Sequence, residues 1–188
     1  MTPTRLSRII AAAAGLAVLA GGLSLAASTE TAPPASLEHQ AVKPLAAISS
    51  QSFEKQVLTL INKARAKKRS CGTTAYPAAK ALKRSAKLAL AAERHSRDMS
   101  AKDYFSHTSA SGKSPFTRIK ATGYKYKAAG ENIAAGYTTP KAVVNAWLKS
   151  PGHCKILMSK SYTQVGIGHY KGGGRYRHYV TADFARPA

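Results

Sequence analysis

The sequence predicts an α+β domain, and three observations carry the prediction. Apolar residues recur at helical spacing from Phe53 to Leu148, strand-type composition takes over from Val165, and the run Gly172-Gly173-Gly174 separates two such strand segments. Helices around a small antiparallel sheet satisfy that pattern.

Taken in order, the chain opens with Arg5 and Arg8 ahead of an uncharged run from Ile9 to Ala27 that ends in small residues. This reads as a secretory signal peptide over 1–27. The run is mostly Ala and Gly, too weakly apolar for a stable anchor, so no membrane span is expected after cleavage. No Cys precedes Cys71, which leaves no site for a lipidated N-terminal cysteine. Residues 28–51 mix Pro, Ser, Thr and Ala without a sustained period and read as a flexible linker or propeptide. The folded domain is then 52–188.

Within it, Phe53, Val57, Leu60, Ile61 and Ala64 mark a first amphipathic helix. A loop with Cys71, Gly72 and Pro77 follows. The Ala- and Leu-rich stretch Ala78 to Asp103 predicts a second, longer helix with Leu88, Ala92, His95 and Met99 along one face. Ser114 before Pro115 is an N-cap signal for a short helix, Phe116 to Ala121, that ends near Gly123. Thr139 and Pro140 repeat it ahead of Val143, Val144, Trp147 and Leu148, in a helix expected to end by Pro151 and Gly152. Gly130 to Gly136 suits a strand, and Val165 to Phe184 a β-hairpin.

The 188 residues hold 29 Lys plus Arg against 8 Asp plus Glu, a net charge of +21. Loss of the leader would take two arginines and no acid, leaving 27 basic against 8 acidic residues, or +19. The charge therefore belongs to the domain. It implies anionic partners, and export restricts these to an anionic cell-envelope polymer, a lipid or a small ligand, with no nucleic acid expected. No DNA- or RNA-binding motif restores that class. Two cysteines in an oxidising compartment most simply form one disulfide, Cys71 to Cys154. The rival is that Cys154, directly after His153, serves as a nucleophile or metal ligand.

No His-Glu-x-x-His or Gly-x-Ser-x-Gly occurs, and Gly112-Lys113-Ser114 lacks the leading glycine of a phosphate loop, since position 107 is His. What remains is His107 in YFSHTSASGKS, Glu131 in GENIAAGY and His153 in WLKSPGHCKILMS. These blocks, with HSRDM, YTQVGIGHY and YVTADFA in the same order, resemble the bacterial branch of the CAP superfamily, the SCP-like extracellular domains, from about Phe53 to Phe184.

The resemblance implies a three-layer α-β-α sandwich with a cleft lined by two histidines and acidic residues. Matched position by position, these are His107, Glu131 and His153. The further Glu of larger members has no counterpart in Trp147-Leu148-Lys149-Ser150-Pro151. Two imidazoles and a carboxylate suit zinc, with His107 and His153 as ligands and Glu131 as a third ligand or base. No cofactor is required by the pattern. Alternatively, Glu131 hydrogen-bonds His153 and raises its pKa, or Glu131 and Asn132 merely satisfy backbone groups while His153 caps a helix. His95 reads as a core histidine behind the cleft, and His169 and His178 as exposed. Tyr124, Tyr126 and Tyr137, interleaved with Lys125 and Lys127, read as a surface face able to contact an acidic polymer.

With no evident nucleophile, the residues favour a secreted binding protein over a catalyst. A metal-assisted extracellular hydrolase using the same cleft is the alternative, and a purely structural envelope protein the third reading.

Overall fold

A computed structural model describes residues 45–188, with side chains from Phe53 onward; the leader read over 1–27 and the linker as far as residue 44 lie outside the described residues. The elements run α1 Leu45–Arg65, β1 Arg69–Cys71, β2 Thr74–Tyr76, β3 Lys83–Arg84, α2 Ala86–Ala101, α3 Pro115–Ala121, β4 Tyr126–Ala135, α4 Pro140–Lys149, α5 Pro151–Met158, β5 Gln164–Lys171 and β6 His178–Pro187. Helix α1 thus begins inside the stretch 28–51. Past Pro44, Leu45-Ala46-Ala47-Ile48 contains no helix breaker.

The main sheet has the order β3-β5-β6-β4. The β5 and β6 strands form the expected hairpin, β4 pairs antiparallel with β6, and β3 joins β5 in parallel. Strand alternation divides its side chains between two faces. On one, Val165, Ile167, Val180, Ala182 and Phe184 meet Phe53, Val57 and Ile61 of α1, Val143, Val144 and Trp147 of α4, and Leu157 of α5. On the other, Ala185 meets Leu88 and Ala91 of α2 and Ile119 of α3, while Met99 packs on Ile133 and Tyr179. The result is the α-β-α sandwich. Trp147 is wholly enclosed and its indole Nε1–H donates to the Ile133 carbonyl at 3.0 Å.

Helix α2 lies directly on β5, because β5 presents Gly166 and Gly168 to it. A Cβ at these positions would sit 1.9 Å from the Ala89 nitrogen and 2.2 Å from the Glu93 nitrogen. The sheet's other face carries Val165 and Ile167, so the alternation of glycine and β-branched residues encodes one tight and one ordinary interface.

Several expectations change. The second helix starts at Ala86, not Ala78. Ser85, in extended conformation, caps it by accepting from the Leu88 N–H, and Lys83 and Arg84 before it are taken up by the sheet. The helix of Val143 to Leu148 does end before Pro151, at Lys149, but Pro151 then opens an unexpected further helix, α5, at whose first position a missing N–H costs nothing. The loop around Cys71 contains the β1–β2 hairpin, turned at Gly72 with φ +63°. Tyr124 is buried beside Leu88 and Ile119, its hydroxyl donating to Gln164 Oε1 at 2.8 Å, so it is no part of a surface face. His169 and His178 are half-buried, not exposed. Their rings stack at 5.4 Å, with Nε2 of one 3.1 Å from Nδ1 of the other, and Phe53 stacks on His169 at 3.9 Å. Strand pairing places Lys171 opposite His178 and His169 opposite Val180, so the two rings meet diagonally across one face of the hairpin.

The two cysteines are joined across a sequence separation of 83. The bridge ties the β1–β2 hairpin to α5 and takes Cys154 out of consideration as a nucleophile or metal ligand.

Candidate functional site

The site is built at the free edge of the sheet. β4 is an edge strand, and the strand's pleat turns its successive residues Glu131 and Asn132 to opposite layers. Asn132 faces α5 and its Nδ2 donates to the His153 carbonyl at 3.0 Å, which seats the first turn of that helix. Glu131 faces α2 and α3.

On that side the loop between α2 and α3 brings His107 to Glu131, with His107 Nδ1–H donating to Glu131 Oε1 at 2.7 Å. The second carboxylate oxygen accepts from Arg118 at 2.5 Å. Arg118 also donates to the carbonyls of His107, at 2.8 Å, and Lys113, at 2.9 Å. One guanidinium therefore neutralises the buried acid and pins the loop that supplies its other partner. The loop's far end is held by the HSRDM segment on α2. His95 Nε2–H donates to the Ser106 carbonyl at 2.9 Å, and Asp98 accepts from the Tyr104 hydroxyl and the Ala110 N–H. His95 is buried, which lowers its pKa, and its hydrogen bond to the site runs through this loop.

Directly opposite Glu131 in the β4–β6 register stands Asp183, completely buried. Neither of its oxygens meets an N–H or O–H donor. What lies beside it is the Glu131 carboxyl, and two acceptors bond only when one carries a proton. Burial first, then the charge of Glu131 and the hydrogen bond between them, holds Asp183 well above the usual carboxylate range. A proton is therefore favoured on Asp183, while the Arg118 guanidinium stands against the Glu131 carboxyl.

His153 belongs to a separate arrangement. Its Nδ1 pairs with Ser150 Oγ at 2.8 Å, and Ser150, the N-cap of α5, makes no side-chain bond to the helix backbone. Burial and the neighbouring His107 lower the His153 pKa. The expectation that Glu131 bonds His153 and raises its pKa is thus overturned: His107 and Arg118 occupy Glu131, and His153 moves the other way. Glu131 does not serve backbone groups at a strand start either, since it lies mid-strand and bonds only side chains. The reading of His153 as a helix-capping residue survives in altered form, as a partner of the capping serine.

The three matched residues are brought together at one edge, yet their donor set does not suit zinc. Among the described residues no three His, Cys, Asp or Glu side chains are grouped so as to hold a metal ion. A guanidinium 2.5 Å from Glu131 also opposes a second cation there. What the arrangement offers instead is two oriented imidazoles. With Nδ1 engaged in each, Nε2 is left to meet a ligand, and the His107 side chain is half exposed.

Arg118, Ser150 and Asp183 did not stand out in the sequence. Asp183 had one legible signal: it interrupts a strand of Val, Ala and Phe in a domain with six acids. Arg118 had none, being one of 26 cations from Ser52 onward.

Comparison with known proteins agrees with this architecture. The model of the cysteine-rich secretory protein family, CAP, matches residues 58–184. The uncharacterized protein YkwD of Bacillus subtilis is 36% identical over 146 residues, covering 78% of this chain and 53% of that protein. The chain thus spans about half the length of this relative. Among solved structures, an extracellular protein containing an SCP domain from Bacillus anthracis superposes with a TM-score of 0.61 at 28% identity, over 73% of this chain and 41% of the other. An outer surface protein of Borrelia burgdorferi gives 0.58 at 20% identity, over 73% and 92% respectively, a likeness of fold alone. With the family model spanning the sheet, its flanking helices and all three matched residues, the chain belongs to the cysteine-rich secretory protein, or CAP, family.

Proposed function

We propose that the chain is an exported binding protein that works outside the cell or at the envelope and holds its ligand at the His107–Glu131–His153 edge. The observation that carries this reading is the pair of imidazoles, each fixed at Nδ1 by an internal partner and each with Nε2 left for a ligand, in a site whose cysteine is oxidised. Fixed hydrogen-bonding groups without a nucleophile suit recognition better than bond cleavage. The leader-like segment 1–27 supports export, as does the extracellular description of the similar Bacillus anthracis structure. The excess of cations on the domain supports attraction to an anionic surface. No feature of the donor geometry favours metal-assisted hydrolysis, so binding is the single reading advanced.

A soluble digest of bacterial cell wall provides the probe. His107→Ala and His153→Ala are each expected to weaken its binding by tenfold or more in calorimetry, with the digest recovered unchanged. Equal binding by wild type and both variants would sink the cleft as the recognition site.

A further inference from the structure

Away from this edge, a cavity of about 770 Å³ opens between the end of α1, the segment before β3, the loop before β5 and the end of β6. Its rim carries Lys80, Lys83, Lys160 and Arg186, all exposed. None of the domain's six acids, Glu54, Glu93, Asp98, Asp103, Glu131 and Asp183, lines it. The ion pairs of the described residues go to Asp98 and Glu131, and none involves these four cations.

The floor sharpens the imbalance. Arg65 is 1% exposed, and its guanidinium donates only to neutral carbonyls: Lys80 at 3.0 Å, Leu157 at 2.6 Å, Ser159 at 2.9 Å and Tyr162 at 3.4 Å. Lys80 and Tyr162 themselves line the cavity, so one buried cation both ties two of its walls together and adds its charge beneath the groove. Further bonds hold the walls together, from Lys83 N–H to the Thr163 carbonyl at 3.0 Å and from Arg186 to the Lys160 carbonyl at 3.1 Å. A concave, low-dielectric wall with cations of one sign focuses their field outward. An anion laid there meets four donors and no competing carboxylate.

We propose that this groove binds a linear polyanion, with phosphodiester or carboxylate groups repeated along its chain, between Lys80 and Lys83 on one side and Lys160 and Arg186 on the other. The class of partner rests on the proposed attraction to anionic surfaces; the place does not rest on the histidine cleft.

Long-chain polyphosphate and polygalacturonate serve as the phosphate and carboxylate probes, titrated against the purified protein across a salt series. The exposed-lysine variant Lys80→Gln/Lys83→Gln/Lys160→Gln is compared with an equal charge loss on the α1–α4 side, Lys55→Gln/Lys67→Gln/Lys141→Gln. Groove substitution is expected to weaken binding at least tenfold at about 0.1 M salt and to flatten the log–log salt dependence by about two to three. The distal set should cost less than threefold. The probe with the larger groove-dependent loss identifies the anionic group. Equal losses from the two sets would overturn the groove, leaving diffuse charge, and so would a groove-dependent preference for duplex DNA over both probes. Absence of any salt-dependent binding would overturn the anionic partner itself. His107→Ala, which should lose the cell-wall digest but keep polyphosphate, separates failure at the cleft from failure at the groove.

Discussion

Arg118 is the residue on which the candidate site depends, because two buried carboxyls meet on facing strands and only one cation reaches them. Replacing Arg118 by Leu leaves the charge of Glu131 buried without its guanidinium and frees the His107 loop. Breaking such a pair from one side costs about 3–5 kcal/mol. Urea unfolding of Arg118→Leu should show a loss of that order, and adding Glu131→Gln should recover part of it. A second residue-scale expectation concerns pH. Burial, then the charges of His178 and Lys171, lower the His169 pKa to about 4. An unfolded histidine titrates near 6.5, so the folded chain binds fewer protons in that window and loses stability as pH falls from about 6.5 towards 4. Glu54 opposes this. Burial and Glu93 raise it to about 7, so its contribution is lost as pH rises through about 4.5 to 7. His169→Gln removes only the acid-side loss. Its melting temperature relative to wild type should therefore improve steadily between pH 7 and pH 4.5. A difference that stayed constant with pH would contradict the assignment.

At the scale of elements, two helix starts followed their local capping signals. Ser114 and Thr139 start α3 and α4 as their sequences predict, each accepting from a backbone N–H three residues on. The start of α2 did not follow from composition, since Ala78 to Leu82 has ample helix propensity but is stitched elsewhere. Leu82 is buried, its N–H and carbonyl both bonded to the Asn62 side chain, and Lys83 pairs with β5. Tertiary pairing overrode a weak local preference. The close approach of α2 to β5 gives a direct test. Gly168→Ala should destabilise by about 3 kcal/mol, the upper range for overpacking, because its Cβ would overlap helix backbone that has no freedom to move. Gly173→Ala, with no atom within 4 Å of its Cβ, should be near neutral by the same thermal unfolding measurement. Similar losses in both would mean that backbone entropy, not contact, decides.

Across the whole molecule, the Cys71–Cys154 bridge joins the β1–β2 hairpin to α5 across a sequence separation of 83. In the chain-entropy model this stabilises the fold by about 4–5 kcal/mol. The double variant Cys71→Ala/Cys154→Ala should lose stability on that scale in denaturant titration, and a loss below about 1 kcal/mol would deny the bridge its structural weight. Charge acts at the same scale. The domain's 26 cations outnumber its six acids so heavily that, among the described residues, only Lys102 and Arg118 form Lys or Arg ion pairs, and the placement of the others, not their number, distinguishes one groove from the remaining surface. The sequence by itself determined the family, most of the larger helices and strands, the pairing of the only two cysteines, and the candidacy of His107, Glu131 and His153, because these are carried by local periodicity, by counting and by short motifs. Only the tertiary structure decided that Glu131 serves His107 and Arg118, that Asp183 stands against it as a buried acid, and that Arg65 underlies a cationic groove. Those facts turn on strand register and on contacts between residues 13 to 97 positions apart, and such contacts are set by how layers pack against one another, which no local pattern of residues records.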